Sequence, residues 1–326
     1  MNNSSYIHHQ DRIFVAGHRG MAGSAIVRAL KRSGYGNPNQ RGKILVVDRA
    51  DLDLCDGPNV LKWFLDNKPT VVVIAAAKVG GIYANSTFPA EFLLENLKIQ
   101  NNLIETSWRI GVKRLLFLGS SCIYPKLAKQ PIRESELLGG YLESTNENYA
   151  IAKIAGIKLC EGLKKQYGFD AISLMPTNLY GPGDNYHKNN SHVMPALIRR
   201  FQEAVSEQKS SVTCWGSGTP LREFLHVDDL ADACVFALKT WKPDNSEYSF
   251  LNVGSGEEVM ISKLAEIIAN ETGFLGEILW DKSKPDGTPR KKLDVSRLSA
   301  IGWSAKISLQ DGIKDLLSHY RNEKRK

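Results

Sequence analysis

No stretch of this 326-residue chain is apolar for long enough to cross a bilayer, and none of its five cysteines stands in a C-x-x-C pair. The first absence argues against a membrane helix, which needs about 20 consecutive apolar residues. The second argues against a zinc knuckle or a disulfide framework. Cys55, Cys122, Cys160, Cys214 and Cys234 are widely scattered, as expected in a reducing, cytoplasmic compartment. The segment Met1 to Asp11 is polar and carries no apolar signal segment, so secretion is not expected. His8-His9 in that segment reads as a solvated pair, and no metal site is expected. The net charge is +7, yet no basic stripe interleaved with aromatics accompanies it, and part of the excess lies in the tail Arg321 to Lys326. A nucleic-acid partner is therefore not expected, whereas an anionic small molecule suits a positive cleft.

What is present describes an ordinary globular protein, 42% hydrophobic and 24% charged. Its length suffices for one large α/β domain or two smaller ones. Arg12 to Ala16 reads as a buried strand, followed at once by Gly17-His18-Arg19-Gly20-Met21-Ala22-Gly23 and then by helical periodicity over Ser24 to Ser33. Strand, glycine turn and helix in that order form a dinucleotide fingerprint, here spaced G-x-x-G-x-x-G. The glycines let backbone approach a pyrophosphate, whose charge is met by amides at the helix N-terminus.

A second strand, Lys43 to Val47, ends in Asp48-Arg49. An acidic side chain there accepts from a ribose 2′-hydroxyl, and an arginine favours a 2′-phosphate. With Arg19 as a second cation, the balance points to NADP(H), and Asp48 keeps NAD(H) open. Further on, Leu61 to Asn67 and Ala90 to Ile110 read as helices, and Thr70 to Ala77 and Arg114 to Leu118 as buried strands. The last strand leads into Gly119-Ser120-Ser121-Cys122. Near-continuous apolar strands alternating with helices predict a doubly wound parallel sheet, with its ligand crevice at the carboxyl ends of the strands.

Tyr149 and Lys153 are four apart at the start of a long helical pattern and so share one face. A free tyrosine titrates near about 10 and is a poor proton donor or acceptor at neutral pH. A neighbouring ammonium is expected to stabilise the phenolate and lower that value. The spacing alone also arises by chance on any helix, so its meaning depends on its surroundings.

Those surroundings are Gly17-x-x-Gly20-x-x-Gly23, Ser120, Tyr149-x-x-x-Lys153, Asn178-Leu179-Tyr180-Gly181-Pro182, Arg222 to Asp229 and Leu251-Asn252-Val253-Gly254. Together they resemble the extended short-chain dehydrogenase/reductase family, from about residue 12 to about residue 320. The strings GHRGMAGSAI, AAAKVGGI, LGSSCIYPKLAKQP, NYAIAKIAGIKLCE, PTNLYGP and KPDGTPRKKLDV resemble one branch of it. That branch epimerises GDP-4-keto-6-deoxy-D-mannose at C3 and C5 and reduces C4 with NADPH, giving GDP-L-fucose.

The resemblance implies a Rossmann-like, doubly wound parallel sheet with a second, smaller α/β substrate-binding domain. The cofactor domain would span residues 1–178, with 223–253 returning to it, and the substrate domain 179–222 and 254–326. Ser120 would hydrogen-bond the C4 oxygen, Tyr149 would deliver its proton, and Lys153 would hold the nicotinamide ribose and tune the tyrosine. Cys122 and His192 would be the acid/base pair that inverts C3 and C5. An acid pair usual in the family's dehydratases is replaced here by Ser121 and Cys122. The cofactor would lie against Gly17, His18, Arg19, Gly20, Met21, Ala22, Gly23, Arg49, Lys153, Pro176, Thr177, Asn178, Leu179 and His192. Arg200, Trp215, Arg222 and Asp286 would hold the GDP moiety, and a homodimer would form through helices at about 90–110 and 147–167.

Each assignment has a plainer counterpart. Cys122 can be a small buried hydrophobe, His192 a helix cap or surface residue, Trp215 a core ring, and Arg222 the partner of Glu223 or Asp228. Two other functions also remain open: a 4-epimerase that keeps NAD bound, and a non-catalytic dinucleotide sensor. Retention of Ser120, Tyr149 and Lys153 weighs against the sensor, and Cys122 with Arg19 and Arg49 weighs against the 4-epimerase.

Overall fold

The computed structural model describes residues 5–188, 191–244, 248–284 and 286–324. Arg325 and Lys326 of the basic tail lie outside them. In chain order the elements are β1 (Arg12–Ala16), α1 (Met21–Arg32), β2 (Lys43–Leu45), α2 (Gly57–Asn67), β3 (Val71–Ile74), α3 (Ile82–Thr87), α4 (Pro89–Arg109) and β4 (Arg114–Leu118). There follow α5 (Glu147–Tyr167), β5 (Ala171–Pro176), β6 (Asn178–Tyr180), α6 (Val193–Ser206), β7 (Ser211–Trp215), β8 (Leu221–His226) and α7 (Val227–Thr240). The chain ends through β9 (Phe250–Val253), β10 (Glu258–Met260), α8 (Ile261–Thr272), β11 (Glu277–Asp281), β12 (Arg290–Lys291), α9 (Ser296–Ala300) and α10 (Leu309–Lys324).

Six strands form one sheet in the order β2-β1-β3-β4-β5-β9, and every pairing in it is parallel. Its central strands are buried throughout, which accounts for their near-continuous apolar sequence. On one face Ile26 and Leu30 of α1 pack with Leu230 and Leu238 of α7. On the other, Phe64 of α2, Leu103 of α4 and Ile157 of α5 pack with Phe117. Each fully buried side chain of this kind stabilises the fold by roughly 1.5–3 kcal/mol. A third core belongs to a smaller lobe, where α6, α8 and α10 enclose Phe201, Ile268 and Leu316. Leu298 and Trp303, beyond that lobe's first helices, pack back into the core under α1 and α7.

Sheet order reverses between β1 and β3, so the crevice opens where both strands end. Ala16 faces Ile74 and Ile74 faces Phe117 in register, while Leu118 faces Leu174 and Pro176 faces Val253. The residues that follow these strands, Gly17, Ala75, Ser120 and Thr177, therefore share one rim. Two short strands of the second half, β6 and β10, flank or pair with β8 together with β12. They escape sequence detection because three-residue strands with partners far along the chain leave no periodic signal. Helix α2 begins four residues before the predicted Leu61: Asp56 caps it by accepting from Asn59 N–H at 3.1 Å, and Pro58 fits its first turn. Among the described residues no helix is long and apolar enough to cross a membrane.

Candidate active site

The exit of β4 and the entrance of α5 build the reacting end. Ser120 is extended, and its hydroxyl accepts from the Cys122 N–H at 3.3 Å, closing a short 3-10 turn over Ser121–Ile123. That turn presents Ser120 and Cys122 together. Tyr149 lies in the first turn of α5, near enough to Ser120 to feel its hydroxyl. Asn146, just before that helix, donates its side-chain amide to Cys122 Sγ at 3.3 Å. One helix start thus serves both the serine and the cysteine.

Lys153 shares the face of Tyr149, as its spacing predicts, but its electrostatic effect differs from the sequence expectation. The ammonium is only 3% exposed and donates to the Leu118 carbonyl at 2.8 Å. It lies 4.7 Å from the Phe117 ring centroid and 5.8 Å from that of Tyr149. Burial pushes Lys153 down to about 7. The Tyr149 phenol is pushed up, by burial first and by Cys122 second, with the Ser120 hydrogen bond opposing. Desolvation is the first cause of both shifts. The consequence is a tyrosine that stays protonated at neutral pH, the state a proton donor needs.

His192 is the N-cap residue of α6, as the cap reading has it, but its side chain makes no cap hydrogen bond. The residue is exposed, as the surface reading has it, yet the protein beside its imidazole lowers its pKa, by partial burial first and Lys291 second. Lys291 Nζ also lies 3.7 Å from Cys122 Sγ. One ammonium therefore acts on both members of the expected acid/base pair. Its strand β12 is aligned with β8, Lys291 opposite Arg222. Sequence reasoning missed Lys291 and Asn146. Lys291 stands in the run Arg290-Lys291-Lys292, where three cations look alike. Only the fold separates them: Arg290 pairs with Glu258 at 2.6 Å, and the Lys292 N–H donates to Gln130 at 2.9 Å.

A second cluster sits on the smaller lobe. Trp215 is 59% exposed, which removes the core-ring reading. Arg200 and Lys284 lie 5.1 and 5.8 Å from its ring. Asp286 accepts from the Ser217 backbone N–H at 2.6 Å and from its hydroxyl at 2.8 Å, and these bonds lower its pKa. Arg222 is close enough to Asp286 to feel its charge, and it donates to the Leu221 carbonyl at 2.9 Å rather than pairing with Glu223 or Asp228. Glu223 is instead buried under the Gly256 and Leu293 amides. An open indole with arginines and a carboxylate beside it suits a purine and a diphosphate.

The glycine loop is built for close approach. A Cβ at Gly17, where φ is +86°, would lie 2.7 Å from Ala76 Cα, and one at Gly23 would lie 2.1 Å from the Gly17 oxygen. Gly20 caps α1 without a side-chain bond, so the first amides of that helix (Met21, Ala22, Gly23) remain for an anion. This backbone cradle fits a dinucleotide pyrophosphate. His18 and Arg19 both reach Asp48. At the far strand end the Thr177 N–H donates to Val253 at 3.0 Å, and the Asn178 amide to the Glu223 carbonyl at 2.7 Å. These bonds hold Pro176 to Leu179 on the rim but also engage the Asn178 side chain within the protein.

Comparison with known proteins is consistent with this geometry. Residues 13–254 match the NAD dependent epimerase/dehydratase family. "GDP-L-fucose synthase 1" of Arabidopsis thaliana is 55% identical, over 95% of this chain and 93% of that protein. "GDP-L-fucose synthase" of Escherichia coli is 53% identical, over 93% of this chain and 94% of that protein. The NADP-bound crystal structure of a GDP-L-fucose synthetase from Naegleria fowleri superposes with a TM-score of 0.89 at 26% identity, covering 100% of this chain and 97% of that one.

Proposed function

Since the chain belongs to the NAD-dependent epimerase/dehydratase family, we propose that it performs the reaction for which its fucose-forming relatives are named. It inverts C3 and C5 of GDP-4-keto-6-deoxy-D-mannose and reduces the C4 ketone, yielding GDP-L-fucose. The observation that carries this reading is the meeting of two chemistries at one place. Tyr149 lies near enough to Ser120 to feel its hydroxyl, and Cys122, whose N–H donates to Ser120, is contacted by Asn146 and Lys291.

The C4 ketone acidifies the hydrogens on C3 and C5. One of Cys122 and His192 removes a proton, and the other returns one on the opposite face. Ser120 and Tyr149, as hydrogen-bond donors, stabilise the enolate charge on O4 between the steps. Lys291 Nζ lies 3.7 Å from the Cys122 sulfur and lowers the His192 pKa, which favours the neutral imidazole a base requires. Bound NADP(H) supplies the hydride for C4, and Tyr149 then gives its proton to O4. Trp215, Arg200, Arg222 and Asp286 hold the nucleotide end. The cofactor lobe comprises residues 1–178 and 223–253, and the remainder forms the substrate lobe, with Leu298 and Trp303 reaching back. Five free thiols suit a reducing cytoplasm.

Incubation with GDP-4-keto-6-deoxymannose and NADPH tests the reading. NADPH loss with GDP-L-fucose as product supports it, and an absence of NADPH consumption removes it. Lys291→Met should raise the pH at which His192 titrates, because a nearby positive charge is lost. Its NMR titration, and the acid limb of the inversion rate, should both move to higher pH. An unmoved His192 would separate Lys291 from this role.

The outer faces of α4 and α5 leave Leu94 and Ile151 exposed, at 54% and 42%. These two helices pack on each other through Gln100, whose amide donates to the Ala152 carbonyl at 2.6 Å. A homodimer joined across this pair would cover both apolar side chains. Light scattering should give twice the chain mass, and Ile151→Glu should halve it. A monomeric wild type would refute the dimer.

A further inference from the structure

Glu223 of β8 is fully buried, between the strand that carries Lys291 and the strand ends that form the cofactor rim. Strand β12 pairs with β8 through Arg290 opposite Leu221 and Lys291 opposite Arg222. The next residue of β8 is Glu223, and there a side chain takes over from the ladder. Its Oε2 accepts from the Leu293 N–H at 2.9 Å, and its Oε1 from the Gly256 N–H at 2.8 Å. Its main-chain carbonyl accepts from the Asn178 amide at 2.7 Å and from the Thr177 hydroxyl at 3.3 Å. A Cβ at Gly254 would stand 2.2 Å from Oε1, so the neighbouring chain makes room for this carboxylate.

A carboxylate away from solvent is costly unless hydrogen bonds hold it, and a buried amide equally needs an acceptor. Burial raises the pKa of Glu223, and the Leu293 and Gly256 amides oppose that rise. The result is an anchor two residues beyond Lys291, whose ammonium lies 3.7 Å from Cys122 Sγ and lowers the His192 pKa.

We propose that Glu223 is a positioning residue for the inversion of C3 and C5: it holds the Lys291 ammonium against Cys122 and His192 and keeps that placement in register with the cofactor rim. The inference rests on Lys291 serving the acid/base pair, and Glu223 acts on the reaction only through it.

Glu223→Gln keeps the shape but turns one acceptor into a donor facing a buried amide, which pushes the chain after β12 away. With GDP-4-keto-6-deoxymannose and NADP+ in D2O, deuterium entry at C3 and C5 should fall about a hundredfold, the loss expected when a group is misplaced by about an ångström. NADPH oxidation with the same sugar should fall much less, and its product should shift toward the uninverted 6-deoxy sugar. The His192 imidazole should titrate at higher pH as Lys291 withdraws. NADP+ binding should hold, because the bonds to Thr177 and Asn178 come from the main chain. In a Lys291→Met background the same substitution should add little to the loss, since residues acting through one group are not additive. Gly254→Ala, which keeps the acid and crowds its oxygen, should give the same pattern if Glu223→Gln folds poorly. Equal losses of exchange, reduction and NADP+ binding, multiplying with those of Lys291→Met, would make Glu223 a support of the fold and overturn the inference. An effect of Lys291→Met with none of Glu223→Gln overturns it too, and leaves Lys291 in place. Exchange and His192 unmoved in Lys291→Met would remove Lys291 from the reaction and the inference with it.

Discussion

Tyr149→Phe is expected to lower the rate of C4 reduction by about a thousandfold, within the range typical for removing a positioned general acid. The substitution keeps the ring and its packing and deletes only the hydroxyl, which lies near Ser120. No other protonated group on this rim takes its place readily. Lys153 is tied to the Leu118 carbonyl at 2.8 Å and is pushed down to about 7 by burial, so it is partly neutral when the phenol is still protonated. Binding should be affected far less, giving a fall in kcat at little change in KM. Proton exchange at C3 and C5 should slow less than reduction, since Ser120 still donates to O4. Reduction persisting at a tenth of the wild-type rate would take the proton donor's role away from Tyr149.

Cys122→Ser should do the reverse, blocking inversion while leaving hydride transfer possible. A serine hydroxyl is too weak an acid to serve as a base here, whereas a thiol is a far stronger acid than an alcohol, and this one faces Lys291 at 3.7 Å and Asn146 at 3.3 Å. The expected product is a reduced 6-deoxy sugar of uninverted or partly inverted configuration, formed with NADPH loss. Deuterium uptake from solvent at the ring carbons should fall by at least about a hundredfold. Normal product at a normal rate would make Cys122 a packing residue.

Much of this was legible in the sequence because it is local. Strand β4 falls where its apolar run predicts, Arg114–Leu118, and Tyr149 with Lys153 needs only helix spacing. The glycine loop follows from a strand, three glycines and a periodic helix. Strand-end rules then place Gly17, Ser120 and Thr177 on one rim. Long-range pairing was not legible. Lys291 reaches Cys122 across 169 residues through a two-residue strand, β12. Electrostatics were misjudged in direction for Tyr149, because helix spacing reveals a neighbour's charge but not the solvent that both groups lose. Asp48 was visible as an ambiguity; its grip on Arg19 and His18 was not.

The central claim is that one pocket removes and returns protons at two carbons before it reduces a third. Turnover of GDP-4-keto-6-deoxymannose in D2O with unlabelled NADPH tests that claim most directly, by mass and NMR analysis of the product. The account predicts GDP-L-fucose carrying deuterium at C3 and C5 and protium at C4. A reduced product with protium at C3 and C5, or NADPH left unconsumed, would contradict it.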